Sequence, residues 1–183
     1  MFLRGRTSKH SSRPSHRFET KSLTLLVWLG LRKDELRRLR LGDVDLERRT
    51  LAVHGKGGHV DKLPLAFEHV YNALSLYMRE RDPAEHLMHP AGRPTAAMEA
   101  STVHRWFKRA LERAGLSTSW ALHDLRRAAA DALHEVTGDI VLAQQLLRHS
   151  DIRTTRGYLS PSMERLAQGM RQVEEVLHQK DAV

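Results

Sequence analysis

Apolar residues recur every three or four positions in successive segments that stop at glycine or proline, and this pattern constrains the fold most strongly. It predicts three long helices, within residues 66–82, 98–116 and 122–138. Pro83 is expected to end the first helix, and Gly115 and Gly138 the next two, because proline cannot continue a helix and glycine readily takes a left-handed conformation. Two short helices should follow, and a final amphipathic helix should begin at Pro161.

A glycine-rich segment, HGKGGH at residues 54–59, lies between two short β-prone runs, TLAVHG and VDKLPL. Such a pattern is typical of a β-hairpin whose turn requires positive φ angles. Lys56 is then expected at the hairpin tip. Together with the helices, the hairpin predicts a mainly α fold with a small antiparallel β-sheet, in the α+β class.

The N-terminal region differs in composition from the rest of the chain. Residues 1–20 are rich in basic residues and serine and have no apolar periodicity, so we expect a flexible basic tail. From Lys21 onward, KSLTLLVWLG predicts a buried helix, and a second helix is expected to carry Leu36, Leu39 and Leu41. One domain is therefore predicted over residues 21–183, with a C-terminal helix from about residue 161.

The charge of the chain favours a polyanionic partner. Its 183 residues include 30 lysines and arginines against 22 acids, a net charge of +8 with neutral histidines. Nucleic acid is the first candidate partner and a membrane surface the second. The longest apolar stretch is far shorter than the roughly 20 residues that cross a bilayer, and the N-terminus does not resemble a secretory signal. The absence of cysteine excludes disulfides, and we expect a cytoplasmic protein without a membrane segment.

Two motifs that would imply other chemistry are incomplete. Gly57 follows Lys56, where a nucleotide-binding phosphate loop requires serine or threonine. Gly138 stands where a zinc protease helix that starts at His134 would need its second histidine. No metal and no cofactor is therefore expected.

Four separated segments together contain the groups that phosphodiester chemistry requires: cations for the nonbridging oxygens, a nucleophile and a proton donor. These segments are GLRKDEL, HGKGG, HDLR and LLRHSDIRTTRGY. Their motifs and order over residues 21–165 resemble the tyrosine recombinase family, the phage-integrase and Xer-like enzymes, including a tyrosine nine residues after the second histidine.

The resemblance implies a role for each matching residue. Six are expected to be catalytic, namely Arg32, Lys56, His123, Arg126, His149 and Tyr158. Tyr158 is the implied nucleophile, and Arg32 and Arg126 are the implied phosphate-binding arginines. Glu35 and Asp124 match motif acids that orient these groups. The implied reaction is cleavage and rejoining of double-stranded DNA through a 3′-phosphotyrosyl intermediate.

The chain departs from the family pattern at two positions and in its length. Arg148 stands where the family usually has a glycine, and the hairpin continues with His59 rather than a further basic motif. Only about twenty residues precede the catalytic region, so we expect the N-terminal core-binding domain to be absent and DNA binding by this chain alone to be weak.

Two other functions remain open at this stage: a catalytically silent DNA-binding remnant of an integrase, and a DNA-relaxing enzyme that resembles type IB topoisomerases. The resemblance also implies self-association on DNA through the C-terminal helix. That helix carries an apolar stripe at Met163, Leu166, Met170, Val173 and Leu177, and Gly169 is expected to let it swing away from its own domain.

Overall fold

The computed structural model describes residues 28–148 and 163–181. Its helices are α1 (Lys33–Arg38), α2 (Glu68–Met78), α3 (Ala100–Arg113), α4 (Leu122–Thr137), α5 (Ile140–Leu147) and α6 (Met163–Asp181). Its strands are β1 (Val44–Asp45), β2 (Thr50–His54) and β3 (Val60–Pro64). The predicted α+β class, mainly helical with a small antiparallel sheet, is confirmed. Within these two ranges no helix is both long and apolar enough to span a membrane.

The sheet has the order β1-β2-β3, and both of its strand pairs are antiparallel. Leu51 on β2 pairs with Leu63 on β3, and both side chains are buried, because alternate residues of a strand face the core. The predicted hairpin is confirmed, with Lys56 in a short 3₁₀ turn that spans Lys56–Gly58. Gly57 and Gly58 both have φ near +80°, which is the reason the turn contains glycine.

The three long central helices lie where the apolar spacing predicts them, with differences at their ends. Gly138 ends α4 in the left-handed conformation, and Gly115 takes the same conformation two residues after α3. In contrast, α2 ends at Met78, several residues before Pro83, because Arg79 has a non-helical ψ of 125° and Glu80 has a positive φ.

Helix α1 is shorter than the helix predicted for its segment. It ends at Arg38, so Leu39 and Leu41 lie beyond it, although both are buried. The preceding predicted helix and the basic tail lie outside the described residues, except for positions 28–30.

The C-terminal helix packs on its own domain, against α4, α5 and β3. Leu166, Met170 and Val173 are buried, while Leu177 is partly exposed. A Cβ atom at Gly169 would lie 3.1 Å from side-chain carbons of Leu133 and Thr137. Close packing against α4 therefore accounts for this glycine, and the expectation that it lets the helix swing away stays a prediction.

Candidate active site

A cleft of about 630 Å³ separates the start of α1 from the β2–β3 hairpin. Its lining is rich in charged groups: Arg32, Lys33, Asp34, Glu35, Arg38, His54, His59, Asp61 and Arg148. Two of the predicted site residues, Arg32 and Glu35, therefore lie on one wall of a cleft whose other wall is the predicted hairpin.

Arg32 is held at the entrance of α1 by Glu35. The Glu35 carboxylate accepts a hydrogen bond from the main-chain N–H of Arg32 at 2.6 Å and another from Arg32 Nη1 at 2.7 Å. The arginine side chain is 46% exposed and the glutamate side chain only 6% exposed. The carboxylate thus holds both the main chain and the guanidinium of Arg32, while the arginine side chain is still accessible from the cleft.

Arg148 binds the same carboxylate. Its Nη2 donates to Glu35 Oε2 at 2.6 Å, and the guanidinium also donates to the carbonyl groups of Leu146 and Gly30. Its side chain is 3% exposed. The residue follows α5 with φ of +48°, a left-handed conformation that favours glycine and that accounts for the glycine usual at this position of the family pattern.

Arg126 is buried on α4, with 2% of its surface exposed. Its guanidinium donates to the carbonyl groups of Gly30 and Leu147, and so connects the segment before α1 with the end of α5. Among the described residues that line the cleft, Arg148 is present and Arg126 is not. Arg126 therefore lies in the same cluster as Arg32, but deeper in the protein.

The pKa values in this cluster reflect burial among like charges. Burial, together with the positive charges of Arg148 and Arg32, lowers the pKa of Arg126 to about 10, so the group stays protonated at neutral pH. Burial acts to raise the pKa of Glu35, but the charge of Arg148 and the hydrogen bonds from Arg32 outweigh it and keep that pKa below the ordinary value of 4.5. Three guanidinium groups and one carboxylate leave two positive charges, an arrangement that attracts a phosphate.

The hairpin wall carries histidines that sequence reasoning did not single out as site residues. His54 Nε2 lies 2.8 Å from Asp43 Oδ1, and His59 Nε2 lies 2.9 Å from Asp61 Oδ1. Lys56, whose main chain begins the 3₁₀ turn between them, is at the predicted tip. No motif signals the first pair, because Asp43 and His54 are 11 residues apart and meet only through the fold.

His123 and Asp124 lie on the first turn of α4, one turn before Arg126, and both are exposed. The Asp124 carboxylate accepts a hydrogen bond from the main-chain N–H of Ala121 at 2.7 Å, which caps the helix. Neither residue belongs to the described lining of the cleft. His149 and Tyr158 lie outside the described residues, so their place in the site stays a prediction.

The chain resembles named recombinases over most of its length. It is 33% identical to tyrosine recombinase XerC of Xanthomonas campestris pv. campestris over 145 residues, which cover 79% of this chain and 45% of that protein. It is 31% identical to tyrosine recombinase XerA of Thermococcus kodakarensis over 156 residues, which cover 84% of this chain and 54% of the relative. The chain thus spans about half the length of these relatives.

A solved structure and a family model both support the relationship with these recombinases. The solved integrase from mycobacterium phage Brujita superimposes with a TM-score of 0.71 at 26% identity, over 88% of this chain and 53% of that one. The phage integrase family model matches residues 8–165, which include each predicted catalytic position. The chain therefore belongs to the phage integrase family, with the fold of a tyrosine recombinase catalytic domain.

Proposed function

We propose that this chain is the catalytic domain of a site-specific DNA recombinase that cleaves and rejoins strands through a 3′-phosphotyrosyl intermediate. The observation that supports this most is an arginine cluster beside the cleft, in which Arg32 and Arg148 bind the Glu35 carboxylate and Arg126 lies deeper in the protein. The family membership and the names of the relatives support the same reaction.

In the proposed reaction the phenolic oxygen of Tyr158 attacks the scissile phosphorus. An unperturbed tyrosine has a pKa near 10, so the proton must be removed, and His123, directly or through a water, is the proposed base. The P–O bond to the 5′ oxygen breaks, and Lys56 at the hairpin tip supplies the proton that this oxygen takes up. A 3′-phosphotyrosyl bond and a 5′ hydroxyl result.

Negative charge grows on the nonbridging oxygens during this attack. Arg32 and Arg126 are the proposed donors to those oxygens, and His149 provides a further hydrogen bond. A 5′ hydroxyl from another strand reverses the step and completes strand exchange. The phosphotyrosyl bond retains the free energy of the phosphodiester, so the proposed cycle requires no metal, nucleotide or other cofactor.

The proposed partner is double-stranded DNA. The net charge of +8 and the arginine-rich cleft both favour a phosphate backbone. The α1 entrance and the hairpin, on opposite walls of the cleft, are the surfaces that we expect to contact the scissile strand.

The test uses a nicked suicide duplex, in which cleavage releases a short strand and traps the protein on DNA. Duplexes of varied sequence are incubated with the chain and analysed on a denaturing gel. We expect a covalent adduct that Tyr158→Phe abolishes with little loss of DNA affinity, because only the nucleophilic oxygen is removed. The sequence has three tyrosines, so Tyr71→Phe and Tyr77→Phe are matched controls that should still form the adduct.

The same experiment separates the two other functions. No adduct on any duplex would favour the silent DNA-binding remnant. An adduct accompanied by relaxation of supercoiled DNA, without exchange between two duplexes, would favour the topoisomerase-like enzyme. An adduct that persists in Tyr158→Phe would show that the nucleophile is another residue.

We also propose self-association on DNA through the last turns of α6. Leu177 is partly exposed there, next to an apolar groove of about 260 Å³ that includes Trp28, Ala129 and Ala132. The α6 helix of a neighbouring protomer is the proposed occupant of this groove.

The test of self-association compares two variants of α6. Leu177→Lys should abolish multi-subunit DNA complexes on native gels but preserve the adduct. Gln179→Lys, an exposed control two residues away, should preserve both. Unchanged assembly in Leu177→Lys would contradict this proposal.

A further inference from the structure

Arg148 occupies a backbone conformation that is unfavourable for an arginine. Its φ of +48° and ψ of +48° place it in the left-handed region, in which a Cβ atom crowds the following carbonyl group. Glycine avoids this crowding, and the family pattern usually has glycine here. An arginine at this position therefore calls for a compensating interaction.

The compensating interactions are those of the guanidinium. It donates to the Glu35 carboxylate at 2.6 Å, to the Leu146 carbonyl at 2.9 Å and to the Gly30 carbonyl at 3.2 Å, while its side chain is almost fully buried. Bidentate and multiple donation of this kind is specific to arginine, since lysine has no planar fork. The side chain is thus fixed in one place, with Glu35 as its charged partner.

Glu35 connects this buried guanidinium with the accessible one. Oε1 of the carboxylate accepts from Arg32 Nη1, and Oε2 accepts from both the Arg32 main chain and Arg148 Nη2. Any rotation of the carboxylate would therefore break contacts with both arginines. Arg148 restrains the carboxylate from the protein interior, and the carboxylate restrains Arg32 at the cleft.

We propose that Arg148 is a positioning residue, whose guanidinium holds the Glu35 carboxylate where it fixes Arg32 for contact with the scissile phosphate. This inference rests on the proposed function, because it is Arg32 that meets the DNA. It adds to the reaction a residue that the family pattern does not include.

The electrostatics of the cluster agree with this role. Besides each other, the charged groups that act on Glu35 or Arg148 are Arg32 and Asp61, and both Glu35 and Arg148 act on Arg126. Burial lowers the pKa of Arg148, while Glu35 and Asp61 act to raise it. Arg148 in turn helps to keep the pKa of Glu35 below its ordinary value. Without this guanidinium, burial would shift the carboxyl group toward its neutral form, which binds Arg32 less strongly.

The first test is a double-mutant cycle in the suicide-duplex assay at saturating DNA. Arg148→Met should slow cleavage by about 10- to 100-fold, because a displacement of roughly 1 Å in a positioned group has effects of this size. In the Arg32→Ala background the same change should have little further effect, since Arg148 acts through Arg32. Equal losses in both backgrounds would overturn the proposal in favour of a general structural role.

Two further variants control for the backbone and for the loss of an ion pair. Arg148→Gly relieves the left-handed conformation but removes the guanidinium, so it should be as slow as Arg148→Met; cleavage at the wild-type rate would overturn the proposal. Arg37→Met removes another 2.6 Å ion pair of α1, the one between Arg37 and Asp34. This change should leave the contacts that restrain Arg32 intact, and with them the cleavage rate.

A second measurement does not depend on DNA cleavage. Carbon-13 NMR of the full chain, labelled at glutamate, gives the pKa of Glu35, whose signal is assigned by its absence in Glu35→Gln. Nitrogen-15 relaxation at Arg32 Nε gives the mobility of that side chain. Arg148→Met should raise the Glu35 pKa and increase the Arg32 mobility, and wild-type values for either would overturn the proposal.

The two experiments distinguish failure of this inference from failure of the proposed function. If the wild-type chain forms no adduct, the proposed function fails, and the NMR measurement alone decides whether Arg148 positions Arg32. If the adduct forms but the cycle is additive, the recombinase reaction stands and the positioning role is wrong.

Discussion

Glu35 and Glu174 are both buried carboxylates, and both bind main-chain N–H groups at the start of a helix, yet their surroundings differ. Glu35 is surrounded by the guanidinium groups of Arg32 and Arg148. Glu174, on α6, accepts from the main-chain N–H groups of Glu68 and His69 at the start of α2, and its Oε1 lies 2.6 Å from His69 Nδ1.

The comparison separates the proposed binding site from a structural contact. Around Glu35 the positive charges exceed the negative ones, and this excess favours the binding of an anion. Around Glu174 the carboxylate is satisfied by two main-chain donors and a histidine, and it attaches the C-terminal helix to α2. The surplus positive charge around Glu35 thus distinguishes the proposed site from the structural contact of Glu174.

The largest effect is expected from removing a cation near Glu35. Arg32→Ala or Arg126→Ala should each slow strand cleavage by roughly 10²- to 10³-fold, by analogy with the loss of one preorganised donor in a transition state. Glu174→Gln should leave the rate at saturating DNA close to that of the wild type. Single-turnover rates on a suicide duplex measure both. Arg48→Ala, which removes an exposed pair with Asp45, is the control. Near wild-type cleavage in both arginine variants would show that the cluster around Glu35 contributes no more to strand cleavage than the contact of Glu174 does.

A smaller effect, on stability, is expected at the other carboxylate. Glu174→Gln should lower the free energy of unfolding at pH 7 by about 0.5 to 2 kcal/mol, the range for loss of a helix-capping group. Urea denaturation measures this difference. A loss confined to DNA cleavage, with unchanged stability, would contradict the structural assignment of Glu174.

The pH dependence of that stability difference has a defined sign. Burial acts to raise the pKa of Glu174, but the hydrogen bonds from His69 and from the main chain outweigh it, so the folded-state pKa lies below 4.5. The stabilisation by the carboxylate is therefore present above pH 4.5 and is lost as the pH falls through the folded-state pKa. Denaturation of the wild type and of Glu174→Gln should converge in acid.

The smallest effect is expected from an added anion. Inorganic phosphate at a concentration equal to its dissociation constant should stabilise the fold by about 0.4 kcal/mol, because ligand binds only the folded cluster. Arg32→Ala should lose this stabilisation, and Glu174→Gln should retain it. Thermal denaturation in phosphate and in chloride at equal ionic strength measures it. Equal stabilisation in the two variants would show that the anion binds outside the arginine cluster.

The local features of the fold could be predicted from the sequence. The hairpin follows from glycines with positive φ, and α4 follows from apolar spacing that ends at Gly138. These signals are local. They also place Lys56 at the tip of the hairpin and Arg32 at the start of a helix. Strand β1 was not predicted, because Val44–Asp45 is too short to show alternation and forms only by pairing with β2.

The contacts of the site could not be predicted in this way. Glu35 and Arg148 are 113 residues apart, and Glu174 and His69 are 105 residues apart. Local spacing carries no information about such pairs. The sequence identified Arg148 only as a departure from a pattern, and the reason for tolerating it lies in the carboxylate that it reaches.

The carbonyl group of Gly30 accepts from Arg126 and Arg148, which follow it by 96 and 118 residues. A ribosome must therefore complete nearly the whole of the described domain before these arginines can meet at Arg32. A nascent chain that ends before α5 contains Arg126 but lacks Arg148 and the Leu147 carbonyl group to which Arg126 donates. The connection between Gly30 and residue 148 thus delays assembly of the arginine cluster until synthesis of the described domain is almost complete.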